Sequence, residues 1–360
     1  MSLRLTQRAI VRALPRPAQN AHRAWLTRET AIITLENEHG QRGFGEAAPL
    51  PGFSRDKLAD CQCALTSLNV ADLPERLELG DALLPALSLA SSRLPAHLPA
   101  ARTALEAALL DLWARARGVP AWALLRGDES SPATRRLAAL LPADSEQARA
   151  RAHAARSEGL SAFKLKVGRA AAIEQELSLV ARLRAELGEQ VDLRLDANRA
   201  WTAEQARLSL PRFAAHNPEL IEEPCPLAQL GALAPSPIPL ALDESLLELP
   251  AEPAALRGLV EQGVRALVLK PTLLGGISTC SAWAEAARAC GVEVILSHTF
   301  EGPLGLTACA ALALAVGSEI SAHGLELHGA GLEGRPLPYF SAFELCPWSE
   351  PGFGLWEPTA

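Results

Sequence analysis

Apolar and polar residues alternate at strand spacing through the first fifty positions, and helical periodicity follows. Leu3, Leu5, Ala9 and Val11 recur at period two. Ala31-Ile32-Ile33-Thr34-Leu35 runs to a turn at Gly40 and returns through Gly43-Phe44-Gly45-Glu46. This pattern predicts an antiparallel sheet. Positions 56–100 are rich in Leu and Ala with Pro breaks, consistent with helices. From Ala101 to Gly118, Leu105, Leu109, Leu112 and Trp113 mark one helical face, and Gly118 followed by Pro120 stops it. Residues 1–125 therefore read as an α+β domain.

Beyond residue 126 short apolar runs alternate with amphipathic stretches, the pattern of βαβ units. The predicted strands are Arg136–Leu141, Ala162–Val167, Val191–Asp196, Leu220–Glu222, Leu240–Asp243, Ala266–Lys270, Glu293–Ser297 and a weaker one near 320–327. Helices fall between them, among them Ala171–Leu187 and Ala203–His216. Eight strands at intervals of roughly 25 residues predict a (β/α)8-like barrel over 126–326. The tail, 327–360, is expected to pack back onto the first domain.

Composition narrows the partners. A formal charge of −7 and the lack of a Lys/Arg-dense run argue against nucleic acid. No segment approaches 18 uninterrupted apolar residues, so no membrane span is expected. The first 28 residues hold six arginines and no acid, a faint likeness to a transit peptide, but their period-two spacing reads as a strand. Seven cysteines without a C-x-x-C predict reduced, mostly buried thiols in a cytoplasmic protein. His153, His216, His323 and His328 have no partner motif and are assigned to surface or packing roles. Trp113 and Trp201 are expected to fill core space, and Gly275-Gly276 to form a turn.

The polar residues that break the apolar rule cluster at the carboxyl ends of the predicted strands, the catalytic face of a barrel. They lie in Lys164-Leu165-Lys166, Arg194-Leu195-Asp196-Ala197-Asn198, Ile221-Glu222-Glu223-Pro224, Leu242-Asp243-Glu244-Ser245 and Val268-Leu269-Lys270-Pro271. Period two puts Lys164 with Lys166, and Arg194 with Asp196 and Asn198, on the inward face. The spacings Lys166 to Asp196 (30), Asp196 to Glu222 (26), Glu222 to Asp243 (21) and Asp243 to Lys270 (27) each span one βα repeat. Three carboxylates without His or Cys form a hard-oxygen site that suits magnesium. Two ammonium groups crowded near such a cation should have depressed pKa values, as a lysine base requires.

The ordered motifs Lys-x-Lys, Asp-x-Asn, Glu-Glu-Pro, Asp-Glu-Ser and Lys-Pro after an α+β domain resemble the muconate-lactonizing subgroup of the enolase superfamily. Within it the chain is similar to the o-succinylbenzoate synthase family, on the stretches from Gly43 to Ser54, from Leu193 to Trp201 and from Val264 to Thr272. The resemblance implies a modified (β/α)7β barrel under a capping domain. It implies Asp196, Glu222 and Asp243 as ligands of Mg2+, with Mn2+ as a substitute. Lys166 would be the acid/base, Lys270 a cation on the opposite face, and Lys164 an electrostatic helper. Ser297-His298-Thr299-Phe300-Glu301 stands where that family often has a serine-rich strand end, and departs from it at His298 and Gly302-Pro303. Arg194, Asn198, Ser297, His298 and Thr299 are the candidate contacts to a small carboxylate substrate.

The implied reaction is a lyase step of menaquinone biosynthesis. The carboxylate 2-succinyl-6-hydroxy-2,4-cyclohexadiene-1-carboxylate loses its α-proton to give an enediolate stabilised by the metal, then water, and becomes 2-succinylbenzoate. The segments Pro51–Ser54 and Ala18–Arg28 are expected to close over it. The rival within the superfamily is racemisation of an N-acylamino acid or epimerisation of a dipeptide, with Lys166 and Lys270 as opposed bases. Dipeptide epimerases typically carry Asp-x-Asp on the last strand, where this chain reads Ala322-His323-Gly324-Leu325-Glu326-Leu327. Muconate-type cycloisomerisation and a non-catalytic barrel are further alternatives. A scaffold would be indifferent to chelators.

Overall fold

Strands β1 (Arg4–Gln19), β2 (Ala24–Glu36) and β3 (Arg42–Ala47) form an antiparallel sheet in that order. The computed structural model describes residues 3–19, 24–77, 82–142, 144–168, 173–326, 337, 339–341 and 343–355. As the period-two spacing predicts, the first 28 residues are strand where described: Ala18 pairs with Trp25 and Gln19 with Ala24. Residues 20–23 lie outside the described residues.

Helices α1 (Leu58–Thr66), α2 (Leu83–Ser91), α3 (Pro99–Arg117) and α4 (Ala121–Arg126) follow. Helix α3 is buried over most of its length and ends at Gly118 in the left-handed conformation, as its sequence predicts. It lies directly on β3. A Cβ on Gly43 or Gly45 would run into the backbone oxygens of Ala108 and Ala104, so only glycine permits that approach.

The second unit is parallel. Strands β5 (Ala139–Leu141), β6 (Ala162–Lys166), β7 (Asp192–Asp196), β8 (Leu220–Glu222), β9 (Leu240–Leu242), β10 (Val264–Leu269) and β11 (Glu293–Leu296) pair in chain order. A short strand β4 (Arg135–Arg136) precedes them and pairs with β12 (Glu344–Leu345) in the tail. Between the strands run α5 (Ser145–Ser157), α6 (Ile173–Leu187), α7 (Ala203–Ala214), α8 (Pro253–Glu261), the single turn α9 (Pro271–Leu274), and α10 (Ile277–Ala289). Helix α11 (Pro303–Val316) follows β11. Among the described residues no helix is long and apolar enough to cross a membrane.

The weak eighth strand is only a bridge. His323 pairs with Leu137 and Gly324 with Ser297, and the Ala138 and Gly324 amides donate to the His323 and Leu296 carbonyls. These bonds close the cylinder, in agreement with the expected barrel; residue 327 lies outside the described residues. His323 is itself the closing pin. It is fully buried, its Nδ1 accepts the Leu296 N–H at 2.9 Å, and its Nε2 lies 3.0 Å from the Ser318 carbonyl.

Burial pushes the His323 pKa down from 6.5 to about 3. Between those values an unfolded chain binds a proton that the folded one refuses, so stability is lost as pH falls through that window, by roughly 3–5 kcal/mol in full. His323→Gln should cost about 2 kcal/mol at pH 7.5 by removing one buried hydrogen bond. The variant should also flatten the acid decline of the urea midpoint between pH 7.5 and 5. Parallel declines in the two proteins would contradict this role.

Two buried carboxylates join the first unit to the barrel. Glu106 of α3 accepts the Ser278 N–H (2.8 Å) and hydroxyl (2.6 Å) at the start of α10. Glu46 of β3 accepts the Gly302 and Gly305 amides at 2.8 and 3.0 Å, at the start of α11. Each meets the positive end of a helix dipole, where a carboxylate is favoured by up to about 2 kcal/mol. Gly275 and Gly276 do form the expected turn, with φ of 99° and 130°, and the anion beside it is Glu106. The described tail also meets the first unit: Asp111 accepts the Phe353 N–H at 2.7 Å, and the Trp122 indole donates to the Trp348 carbonyl at 2.9 Å.

Candidate active site

Along β6, β8, β9 and β10 the inward positions begin apolar and end charged. On β6 the series is Ala162, Lys164, Lys166, while Phe163 and Leu165 face the helices. On β8 it is Leu220 then Glu222, on β9 Ala241 then Asp243, and on β10 Ala266, Val268 and Lys270. The small apolar plug of Leu220, Ala241, Ala266, Val268 and Ile295 fills the cylinder beneath the charges. Strand register then fixes the neighbours: Lys166 stands beside Asp196, and Asp196 beside Glu222.

All six predicted lysines and carboxylates converge. Lys164 Nζ donates to both Glu222 oxygens (2.7 and 2.6 Å) and lies 2.7 Å from Asp196 Oδ2. Lys166 Nζ donates to Asp196 Oδ2 at 2.5 Å and Asn198 Oδ1 at 2.7 Å. Lys270 pairs with Asp243, and its ammonium sits 5.5 Å from the centre of the Phe53 ring. Counting from β6, β10 is four strands along in a ring closed by the 323–324 bridge, so Lys166 and Lys270 approach the mouth from opposite sides.

Burial alone would lower the pKa of Lys164, but Asp196, Glu222 and Asp243 outweigh it and hold it above the ordinary lysine value. Lys270 is raised in the same way, chiefly by Asp243 and Glu222. Each of these two amines rests on a carboxylate, which favours its charged form. Burial likewise favours protonated Asp196, yet Lys164 and Lys166 keep it well below the usual carboxylate range. Asp243 behaves oppositely: burial and the nearby Glu244 and Glu222 charges raise it despite Lys270.

Among the described residues no three acidic, imidazole or thiol groups close around one point as a metal cage, since ammonium groups lie between the carboxylates. The donor set nevertheless fits a divalent cation. It is all oxygen, and Glu244 Oε2 is buried with no hydrogen-bond partner. Four carboxylates (Asp196, Glu222, Asp243, Glu244) share the mouth with three lysine amines, so acids outnumber bases there.

A supporting layer holds Glu223 and Arg199, to which the sequence assigns no role, and Asn198, expected as a substrate contact. Glu223 accepts the Asp243 and Ser245 amides at 2.7 and 2.8 Å and the Arg199 Nε–H at 2.8 Å, which holds the Asp243 backbone in place. Asn198 links Lys166 to Glu244, donating to Glu244 Oε1 at 3.0 Å. Of the five non-glycine residues with positive φ among the described residues, Asn198 (44°), Arg199 (60°), Glu223 (45°) and Phe300 (59°) border the site. Each such residue costs on the order of 1–2 kcal/mol, strain that marks functional geometry. Doubled acids in Glu222-Glu223 and Asp243-Glu244 were the available signal; backbone strain leaves none.

The pocket above the charges has an aromatic wall of Trp25, Phe53 and Phe300, with Leu50 and His298 beside it. Ser297, His298 and Thr299 line it. Arg194 also reaches the lining, but its guanidinium is held by Glu219 and the Ala322 carbonyl, so it supports the floor rather than presenting a free cation. Glu326, opposite, is bound to Arg151 and accepts the Leu140 N–H at 3.0 Å.

Residues 5–126 match the family of the mandelate racemase / muconate lactonizing enzyme N-terminal domain, and residues 147–355 match the enolase C-terminal domain-like family. The chain belongs to the enolase superfamily. It is 32% identical to o-succinylbenzoate synthase of Klebsiella pneumoniae (strain 342) over 297 residues, covering 80% of this chain and 79% of that one. It is 28% identical to the L-Ala-D/L-Glu epimerase of Bacillus subtilis (strain 168), covering 86% and 83%. Among solved structures, a dipeptide epimerase from Methylococcus capsulatus with Mg and the dipeptide L-Arg-D-Lys superposes with a TM-score of 0.81 at 26% identity, over 98% of this chain and 99% of that one. Magnesium is thus a ligand within this superfamily.

Proposed function

We propose that this chain is an o-succinylbenzoate synthase, a lyase of menaquinone biosynthesis that converts 2-succinyl-6-hydroxy-2,4-cyclohexadiene-1-carboxylate to 2-succinylbenzoate and water. The observation that carries the proposal is the placement of Lys166 and Lys270 on opposite sides of an arc of carboxylates. Asp196, Glu222 and Asp243 would hold magnesium, or manganese as a substitute, and the bound cation would supply positive charge beside the substrate carboxylate. Lys166, as the free amine, takes the proton from the carbon next to that carboxylate, and the C–H electrons move toward the carboxylate. Those electrons return to form the ring double bond as the hydroxyl leaves, and Lys166 gives its proton to that oxygen, releasing water. Lys270, kept cationic by its carboxylate neighbours, faces the developing charge from the other side. Lys164, held between Asp196 and Glu222, keeps the two carboxylates in place.

The same pair of lysines supports a second reading, racemisation of an N-acylamino acid. A free dipeptide is less well served. Its ammonium group needs an uncommitted carboxylate, and Glu326 is already engaged by Arg151 and Leu140. Most of the curated relatives compared are o-succinylbenzoate synthases, at 28–32% identity, beside one epimerase at 28%.

The test is a comparison of substrates. Purified protein with magnesium should convert the cyclohexadiene to the aromatic product with kcat/KM at least 100-fold above that for racemising N-succinylamino acids, and should leave free dipeptides untouched. Faster racemisation than dehydration would replace the first reading by the second.

A further inference from the structure

Arg28 sits at the end of the capping sheet, fully buried, and is used by none of the steps above. Its Nη1 and Nη2 donate to the Pro49 and Ala48 carbonyls at 3.0 and 2.7 Å, and its Nε to the Phe300 carbonyl at 3.2 Å. The first two belong to the capping segment that continues into Leu50 and Phe53. The third belongs to the barrel loop that carries His298 and Thr299. Both segments line the pocket.

We propose that Arg28 is a positioning residue that locks the capping wall and the barrel wall of the substrate pocket into one surface. Phe300 is where the lock acts. Its φ of 59° is a conformation that a bulky residue holds only under constraint. Its carbonyl is gripped twice, by Arg28 and by Arg12 Nη2 at 3.3 Å, and Arg12 also donates to the Glu301 carbonyl at 2.8 Å. Held so, the Phe300 ring stands 6.4 Å from Trp25 and 5.7 Å from His298. Trp25 is tied to the other wall by its indole bond to the Pro51 carbonyl at 3.0 Å. A planar guanidinium donates along several fixed directions, which a single ammonium does not. The carbonyls that it binds have no charge to neutralise it; Glu301 and Glu46 offset the burial of its charge instead.

The kinetic part of this inference rests on the reading of the pocket as the substrate site. Its structural part does not, and the two are measured separately. Arg28→Met, Arg28→Lys and Arg12→Ala are compared with wild type by dehydration kinetics and by hydrogen exchange. Arg28→Met should raise KM at least tenfold and lower kcat less than threefold. Amide exchange should speed up in 48–54 and 297–302 together, with 162–168 unchanged. Arg28→Lys should fall between this variant and wild type in both readouts. Unchanged KM, or exchange quickened in only one of the two segments, overturns the proposal. So does a loss of kcat in Arg28→Lys with faster exchange throughout the molecule. Should Arg28→Met not fold, Arg12→Ala decides: a two- to fivefold rise in KM with faster exchange in 297–302 supports the lock, and wild-type values for both overturn it. Failure of wild type to dehydrate the cyclohexadiene refutes the assigned reaction, while coupled exchange in the two segments still tests the lock.

Discussion

Lys166→Ala should reduce turnover by about 10^3–10^4-fold, the upper range for loss of a general acid/base, equivalent to roughly 4–5 kcal/mol in the barrier. The effect is large because one amine serves both proton transfers, and no other side chain occupies its place on β6 beside Asp196. The fold should survive. The residue is partly exposed at the barrel mouth, and its removal leaves Asp196 still paired with Lys164 and accepting the Asn198 N–H. Lys166→Arg separates charge from proton transfer, since arginine keeps the cation but does not give up its proton. It should be as inactive as the alanine variant. Activity of either above a few percent, in protein with wild-type circular dichroism, would remove Lys166 from the acid/base role.

Asp196→Asn should have the second-largest effect, of a different kind. Asp196 is completely buried and faces two ammonium groups, Lys164 at 2.7 Å and Lys166 at 2.5 Å. Its amide counterpart leaves those cations without their shared counter-charge, which costs on the order of 3–5 kcal/mol for a buried pair that loses one partner. A magnesium ligand is lost at the same position. The variant should melt several degrees lower, and the magnesium concentration for half-maximal activity should rise at least tenfold. Thermal melts and activity titrations across magnesium concentration read both. An unchanged magnesium requirement would count against Asp196 as a ligand.

Much of this site was legible because barrels turn spacing into geometry. Inward residues at period two and one βα repeat between motifs were enough to bring Lys166, Asp196, Glu222, Asp243 and Lys270 to one mouth. The strands from β6 to β11 fell within two residues of their predicted ends, because each is a short segment with apolar positions set off from the polar helices on either side. What failed depended on distant partners. Arg194 has the same period-two position as a substrate contact would, and only its bonds to Glu219 and Ala322 show that it supports the floor. Positive φ at Asn198, Arg199, Glu223 and Phe300 is set by tertiary contacts and has no local signature at non-glycine residues.

The most direct measurement is a set of progress curves for aromatic product formation from the cyclohexadiene carboxylate. Wild type and Lys166→Ala are each stripped with EDTA and then resupplied with magnesium. Product should appear only in the wild-type sample, and only after magnesium returns. Formation at the full rate in EDTA, or by the alanine variant at more than a few percent of wild type, would contradict cation-assisted proton removal by Lys166.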